Sequence, residues 1–404
     1  MIRASERPVA VILDMGLGGL AIARSLGREG IRVFGLDFSS EYQPGLKSRY
    51  CIPFLASHPE KDPQPLLELL TKQAMALPEK AVLYPATEPY VRFVSEFRSE
   101  LEAHFLFAIP SRDTVDSILD KRRQYDLADR LDIPYPVTWS PESPHDLDQM
   151  KDRIEYPAFI KPRYSKGIWS EQYRVKGFVV RNYAELTDTY RLLCNANHQV
   201  LVQSIVRGPD SNIYEVYVYI SKDGVPLAAF VTRKLRQYPV MFGNATCMVS
   251  DHNDDVLRIA LEFFRGIDYR GLGSIEIKKD DRDGEYKLIE VNPRLGVQSI
   301  HATCAGLNFP LIQYMDLIGS PMEDIKLNDY KDGVKWLDMM HDLWAFLVLY
   351  RHGGLSVNDW LRSISDTDCH AYFAPDDLMP FLRQYASRFV HMPRFLVGRF
   401  LQSR

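Results

Sequence analysis

Two β-prone runs, Ser274-Ile275-Glu276-Ile277-Lys278 and Tyr286-Lys287-Leu288-Ile289-Glu290-Val291-Asn292, flank Asp280-Asp281-Arg282-Asp283-Gly284. Asp and Gly tolerate the backbone angles of a tight reversal, so the two runs read as an antiparallel hairpin. Pairing symmetric about Asp283 sets Glu276 opposite Glu290, and the two-residue side-chain period puts Asn292 on the same face. Like charges directly opposite destabilise a sheet, so the pattern calls for a cation between them. Two carboxylates and an amide oxygen form a hard, oxygen-only set. That set suits Mg²⁺, or Mn²⁺, shared with phosphate oxygens better than Zn²⁺. Arg294, directly after Pro293, stands where a transferring phosphoryl group would be met. The competing reading is an exposed hairpin with solvated charges.

With Glu276 upstream of Glu290-Val291-Asn292-Pro293-Arg294, the chain resembles the ATP-grasp superfamily, whose metal site is a Glu on one strand and Glu-x-Asn-x-Arg on the next. The resemblance runs from about residue 110 to 320 and extends more weakly over the N-terminal segment. It implies ATP as cofactor and assigns phosphate contacts to Lys121, after Asp120, and to Lys161, at the end of Tyr156-Pro157-Ala158-Phe159-Ile160-Lys161-Pro162. The loop from Tyr164 to Ser170, with Ser165, would cover the phosphates, although it holds one glycine where many relatives have several. The stretch from Gln203 through Ser204 to Val206 matches the adenine hinge, with Ser204 where many relatives carry Glu, and Asp210 would reach the ribose hydroxyls. In Arg233-Lys234-Leu235-Arg236-Gln237, Arg233 and Lys234 would approach the γ-phosphate or a substrate carboxylate; a solvated charged strand is the alternative. The implied reaction joins a small carboxylate to an amine or thiol through an acyl phosphate, releasing ADP and phosphate. Within the superfamily the chain looks most like the amino-acid ligases that include D-aspartate ligase and enzymes of cell-envelope polymer synthesis, a group in which dimers are common.

The rest of the chain reads as α/β and α+β. A Rossmann-like domain is expected over 1–112, an ATP-grasp small subdomain over 113–195, a central subdomain over 196–320 and a helical extension over 321–404. Residues 9 to 38 give a strand, a glycine turn, a helix and a second strand. The turn Gly16-Leu17-Gly18-Gly19-Leu20-Ala21 with Asp37 also fits a dinucleotide fingerprint. An NAD-dependent oxidoreductase is therefore one alternative, and a non-catalytic nucleotide-binding regulator is another. A further edge candidate is Leu83-Tyr84-Pro85-Ala86-Thr87-Glu88, a strand ending in helix-cap chemistry.

A chain of 404 residues with 46% hydrophobic and 25% charged residues is ordinary for a soluble protein of two or three domains. Its net charge of -4 argues against broad nucleic-acid binding. Five scattered cysteines without a Cys-x-x-Cys pair fit reduced thiols in a cytoplasm, and His301 with Cys304 lacks the partners of a metal site. Asp14 and the glycines after it interrupt any signal-peptide core, and Leu343 to Tyr350 is too short to span a bilayer. After Asp377 acids are absent, while Arg383, Arg388, Arg394, Arg399 and Arg404 alternate with aromatic residues; peripheral contact with an anionic membrane competes here with docking on the protein itself.

Overall fold

The computed structural model describes residues 7–39, 43–164, 169, 172–173, 175–322 and 326–386. The chain begins with a parallel sheet, β1 (Ala10–Leu13), β2 (Val33–Asp37), β3 (Ile52–Leu55), β4 (Ala81–Pro85) and β5 (Phe105–Leu106), in the order β3-β2-β1-β4-β5. Strand β1 is apolar throughout because both of its faces are covered. Val11 and Leu13 pack with α2 (Pro63–Met75) and α3 (Glu88–Glu96), while Ala10 and Ile12 pack with α1 (Leu17–Arg28). A short helix, α4 (Arg98–Glu102), leads into β5. The turn after β1 brings α1 close to the strand: a Cβ on Gly19 would lie 2.0 Å from the Asp14 carbonyl oxygen, so only glycine fits.

Helices α5 (Arg112–Leu119) and α6 (Lys121–Arg130) lead to an antiparallel sheet of β6 (Thr138–Trp139), β7 (Ala158–Pro162), β8 (Phe178–Val180) and β9 (Val200–Ser204), ordered β6-β9-β7-β8. Strand β9 lies past residue 196 in the chain yet pairs inside this sheet. Helices α7 (Pro144–Met150) and α8 (Tyr183–Asn195) cover one face, burying Ala158, Ile160, Val200 and Val202. By alternation Phe159, Lys161, Leu201 and Gln203 turn to the other face, towards α6.

The third sheet has seven strands: β10 (Ile213–Ile220), β11 (Pro226–Tyr238), β12 (Asn244–Ser250), β13 (Gly271–Lys279), β14 (Tyr286–Asn292), β15 (Lys335–Leu337) and β16 (Cys369–His370). Its order is β14-β13-β10-β11-β12-β15-β16. Helix α9 (Asp254–Gly266) lays Val256, Ile259, Ala260, Phe263 and Phe264 on Val216, Val218, Val231 and Ile275. Helices α10 (Ile300–Cys304) and α11 (Phe309–Leu317) follow the hairpin.

Beyond residue 320, α12 (Met339–Arg351) and α13 (Val357–Ile364) are joined by two strands, β15 and β16, that extend the central sheet, so this region is mixed as well as helical. Trp336 is buried in it, and Trp360 stacks on Phe346 with centroids 4.5 Å apart. Arg236 of β11 donates twice to Asp342 of α12, at 2.8 and 2.9 Å, which spends its charge on docking the extension. The expectation of reduced thiols is corrected at one place. Strand β16 pairs with β15 beside α10, and Cys304 and Cys369 form a disulfide across 65 residues. Cys51, Cys194 and Cys247 are free. Among the described residues, no helix is long and apolar enough to cross a membrane. Arg388, Arg394, Arg399 and Arg404 lie outside the described residues.

Candidate nucleotide and metal site

Strands β13 and β14 pair with Glu276 opposite Glu290 and Ser274 opposite Asn292 as expected, but not directly from the turn: Lys278 pairs with Lys287 and Ile277 with Leu288, and a register shift between Glu276 and Ile277 brings the two carboxylates opposite each other. Each of the two opposed carboxylates meets a lysine ammonium group. Lys234 of β11 donates to Glu276 Oε2 at 2.5 Å, and Lys121, the first residue of α6, donates to Glu290 Oε1. Burial pushes the Glu290 carboxyl up, but Lys121, Lys176 and Lys161 override it and hold it well below the usual carboxylate range. Burial lowers Lys234, and Glu276 with Glu215 more than restores it. Two carboxylates and the Asn292 amide are a donor set that could hold a hard divalent cation. Among the described residues, no three His, Cys, Asp or Glu side chains group as a metal cluster.

Helix α6 is stitched to β14 along one face. Gln124 Oε1 accepts from Val291 N at 2.8 Å, and Tyr125 donates through its hydroxyl to the Ile289 carbonyl at 2.7 Å. With Lys121 these occupy positions i, i+3 and i+4, which share one side of a helix. Asp120 caps the helix by accepting from Arg122 N and is held by Arg163 Nε at 2.8 Å and by the Tyr164 hydroxyl at 2.9 Å. Lys161 points into the same cleft, donating to Tyr125 Oη and Gln203 Oε1, each at 2.9 Å. Burial, reinforced by Lys121, lowers its pKa to about 7.

Gln203 thus uses its side chain to hold Lys161 and, through Nε2, Thr138 at 2.7 Å, rather than offering it to adenine. Ser204 donates its backbone N–H to Val137 at 2.9 Å and pairs with Ala158 across the sheet; Val206 is buried just beyond. Asp210 accepts from Gln237 Nε2 at 2.7 Å on the cleft side of β11. Ser165 lies outside the described residues.

Arg233 does not join the site. Neighbouring residues on a strand face opposite ways, so while Lys234 meets Glu276, Arg233 turns away to Asp251 at 2.8 Å. Arg294 is placed at the edge of the cleft, donating to Glu88 Oε1 at 3.1 Å and to the Leu295 carbonyl at 2.9 Å. Sequence reading missed Lys176, Tyr125 and the buried Glu215, whose carboxyl is pushed up by burial against the pull of Lys234. Only the i, i+4 spacing of Lys121 and Tyr125 could have flagged the second of these.

The N-terminal turn is not built for a dinucleotide. Asp14 Oδ1 accepts from Gly16 N at 2.8 Å, and Asp37 Oδ2 accepts from Met15 N at 2.8 Å. Burial pushes the Asp37 carboxyl up to about 6. A pyrophosphate approaching the start of α1 would meet two carboxylates where that motif offers bare N–H groups. His301 is likewise structural, bonded to Thr232 Oγ1 at 3.2 Å and the Val334 carbonyl at 2.8 Å.

The family of carbamoyl-phosphate synthase L chain ATP-binding domains matches residues 120–320, the stretch that supplies every side chain of this cleft. The chain belongs to the ATP-grasp superfamily. It is 24% identical over 322 residues to D-aspartate ligase of Enterococcus faecium, covering 75% of each chain. It is 27% identical over 256 residues to pyruvate carboxylase of Aspergillus terreus, of which it spans only 21%. Its fold is similar to an N5-carboxyaminoimidazole ribonucleotide synthetase solved with ADP, with a TM-score of 0.62, 16% identity and 80% of both chains covered. In this ATP-grasp protein Lys161 comes from the four-stranded sheet, Lys234, Glu276 and Glu290 come from the seven-stranded sheet, and Lys121 opens α6.

Proposed function

We propose that this protein is an ATP-dependent carboxylate–amine ligase that works through an acyl phosphate. The observation that carries the reading is the pair Glu276 and Glu290, set face to face, each already holding a lysine and flanked by Lys161 and Arg294. A carboxylate acylates poorly because its leaving oxygen is strongly basic. Phosphorylation removes that obstacle: a carboxylate oxygen attacks the γ-phosphorus, the bond to the β–γ bridging oxygen breaks, and ADP leaves with the electron pair. The amine then attacks the acyl carbon and phosphate departs. Such transfer needs positioning and charge neutralisation more than covalent help from the protein.

Glu276, Glu290 and Asn292 would hold Mg²⁺, which supplies charge neutralisation across the β- and γ-phosphates. Lys121 and Lys161 bind phosphate oxygens, Lys234 shifts from Glu276 towards the transferring group, and Arg294 steadies the charge that develops on the acyl side. Asp210 faces the ribose, and the backbone from Gln203 to Val206 borders the base. The N-terminal parallel sheet receives the substrates. D-aspartate ligase supports an amino acid as substrate. The test is ADP release from Mg²⁺-ATP across pools of amino acids, small carboxylates and amines. Release that requires an added pool and disappears in Glu290→Ala supports the ligase; nucleotide release indifferent to every pool and to Glu290 contradicts it.

A further inference from the structure

Arg294 is held through two of its three nitrogens. Nη1 donates to the Leu295 carbonyl at 2.9 Å and Nη2 to Glu88 Oε1 at 3.1 Å, while Nε is buried without a protein partner. Two more buried polar atoms share that condition: Ser299 Oγ, just before α10, and Gln313 Oε1, on α11. Their side chains belong to residues only 3% and 2% exposed. All three residues line one cavity of about 20 Å³, walled by Tyr84 and Ala86 on the N-terminal side and by Leu272 and Leu295 on the other. A substrate does not fit there. One water does, for it needs about 10–15 Å³ and two to four polar partners. The partners are also complementary, since Arg294 Nε only donates, Gln313 Oε1 only accepts, and the Ser299 hydroxyl does either. A buried polar group left without a bond is costly, so three of them around a space of this size call for a bridging molecule.

Helix α11 is a firm base for Gln313. Its Pro310 carbonyl accepts from the Tyr84 hydroxyl at 2.8 Å, Asp316 accepts from the Tyr219 hydroxyl at 2.6 Å, and Phe309 and Ile312 are buried. We propose that a buried water joins Arg294 Nε to Gln313 Oε1 and Ser299 Oγ, which makes Gln313 a positioning residue for Arg294. The water accepts from Nε, donates to Oε1 and bonds to Ser299 with its remaining capacity. The anchors of the guanidinium then differ in consequence. Glu88 is a counter-charge that an incoming anion displaces from Nη2, whereas the water grips Nε at the stem and stays when Nη2 turns to the reacting oxygens. Without the water, the freed guanidinium would keep one bond, to the Leu295 carbonyl, and would pivot about it. The positioning role rests on the ligase reading above; the water does not.

A crystal structure of the full-length protein, alone and with ADP, at a resolution that shows ordered water tests the site directly. A water within hydrogen-bond distance of all three atoms is expected in both. A dry cavity, or Nε bonded directly to a protein group, would overturn the proposal. Two variants test the role, using Mg²⁺-ATP and the substrate pool that drives ADP release. Gln313→Leu keeps the bulk and loses the acceptor, so kcat should fall about tenfold or more, the worth of a hydrogen bond to a charged group. KM for ATP and the circular dichroism should be unchanged. Gln313→Glu, which keeps an acceptor oxygen in the same place, should recover most of the loss. A merely structural glutamine would cost stability and leave kcat alone. Turnover unmoved in Gln313→Leu, or equally low in both variants, would overturn the positioning role. ADP release indifferent to every pool in the unaltered protein would contradict the ligase reading instead, and the crystal structure would still decide the water.

Discussion

Raising the pH through the range in which Lys161 loses its proton should weaken nucleotide binding in a calculable way. The ammonium is buried, its hydrogen-bond partners Tyr125 and Gln203 are neutral, and burial with Lys121 nearby brings its pKa to about 7. A polyphosphate favours the charged form, so above that pKa the lysine must take up a proton when the nucleotide binds. The sign follows: affinity is fullest below pH 7 and falls as pH rises. For one such group, Kd should increase about fivefold from pH 7 to 8 and about ninefold more from pH 8 to 9, with uptake of about 0.9 proton at pH 8. Calorimetric titration of Mg²⁺-free ADP in two buffers of different ionisation enthalpy measures the proton count directly. Lys161→Arg, which stays charged throughout, should flatten the pH dependence. Proton uptake near zero at pH 8, or an unchanged pH profile in Lys161→Arg, would refute the reasoning.

Three further outcomes are expected. Glu290→Ala should lower turnover by about 100-fold or more, the usual scale for an electrostatic group at the reacting centre, while circular dichroism stays native. Asp377→Asn removes the carboxylate charge facing Arg24, a side chain 2% exposed whose Nε donates to Asp377 at 3.0 Å, while the bonds of its Nη2 to the Tyr372 and Asp377 carbonyls remain, and should cost about 3 kcal/mol in urea unfolding. Non-reducing peptide mapping should recover Cys304 linked to Cys369. Cutting that link should lower stability by up to about 4 kcal/mol, the closure entropy of a loop spanning their separation of 65 residues.

The hairpin was readable from local signals, a turn of Asp and Gly between two β-prone runs, but the register shift between Glu276 and Ile277 that sets Glu276 opposite Glu290 leaves no mark in a two-residue period. That period, applied to Arg233 and Lys234, would have shown that adjacent strand residues cannot both enter one cleft. What stayed hidden depends on partners distant in sequence. Tyr125 matters through Ile289 and Lys161, and Glu88 through Arg294. The glycine turn was ambiguous for a similar reason: its spacing suits a pyrophosphate, but Asp14 and Asp37, folded back onto its N–H groups, do not. The C-terminal region read as helical because β15 and β16, of three and two residues, are too short to show a period.

The most direct test of the acyl-phosphate account is isotopic. The acid substrate found by the ADP-release screen is labelled with ¹⁸O in its carboxylate and turned over with Mg²⁺-ATP and the amine. Attack of that carboxylate on the γ-phosphorus requires the released phosphate to carry one ¹⁸O. Unlabelled phosphate, or label recovered in AMP, would contradict the account.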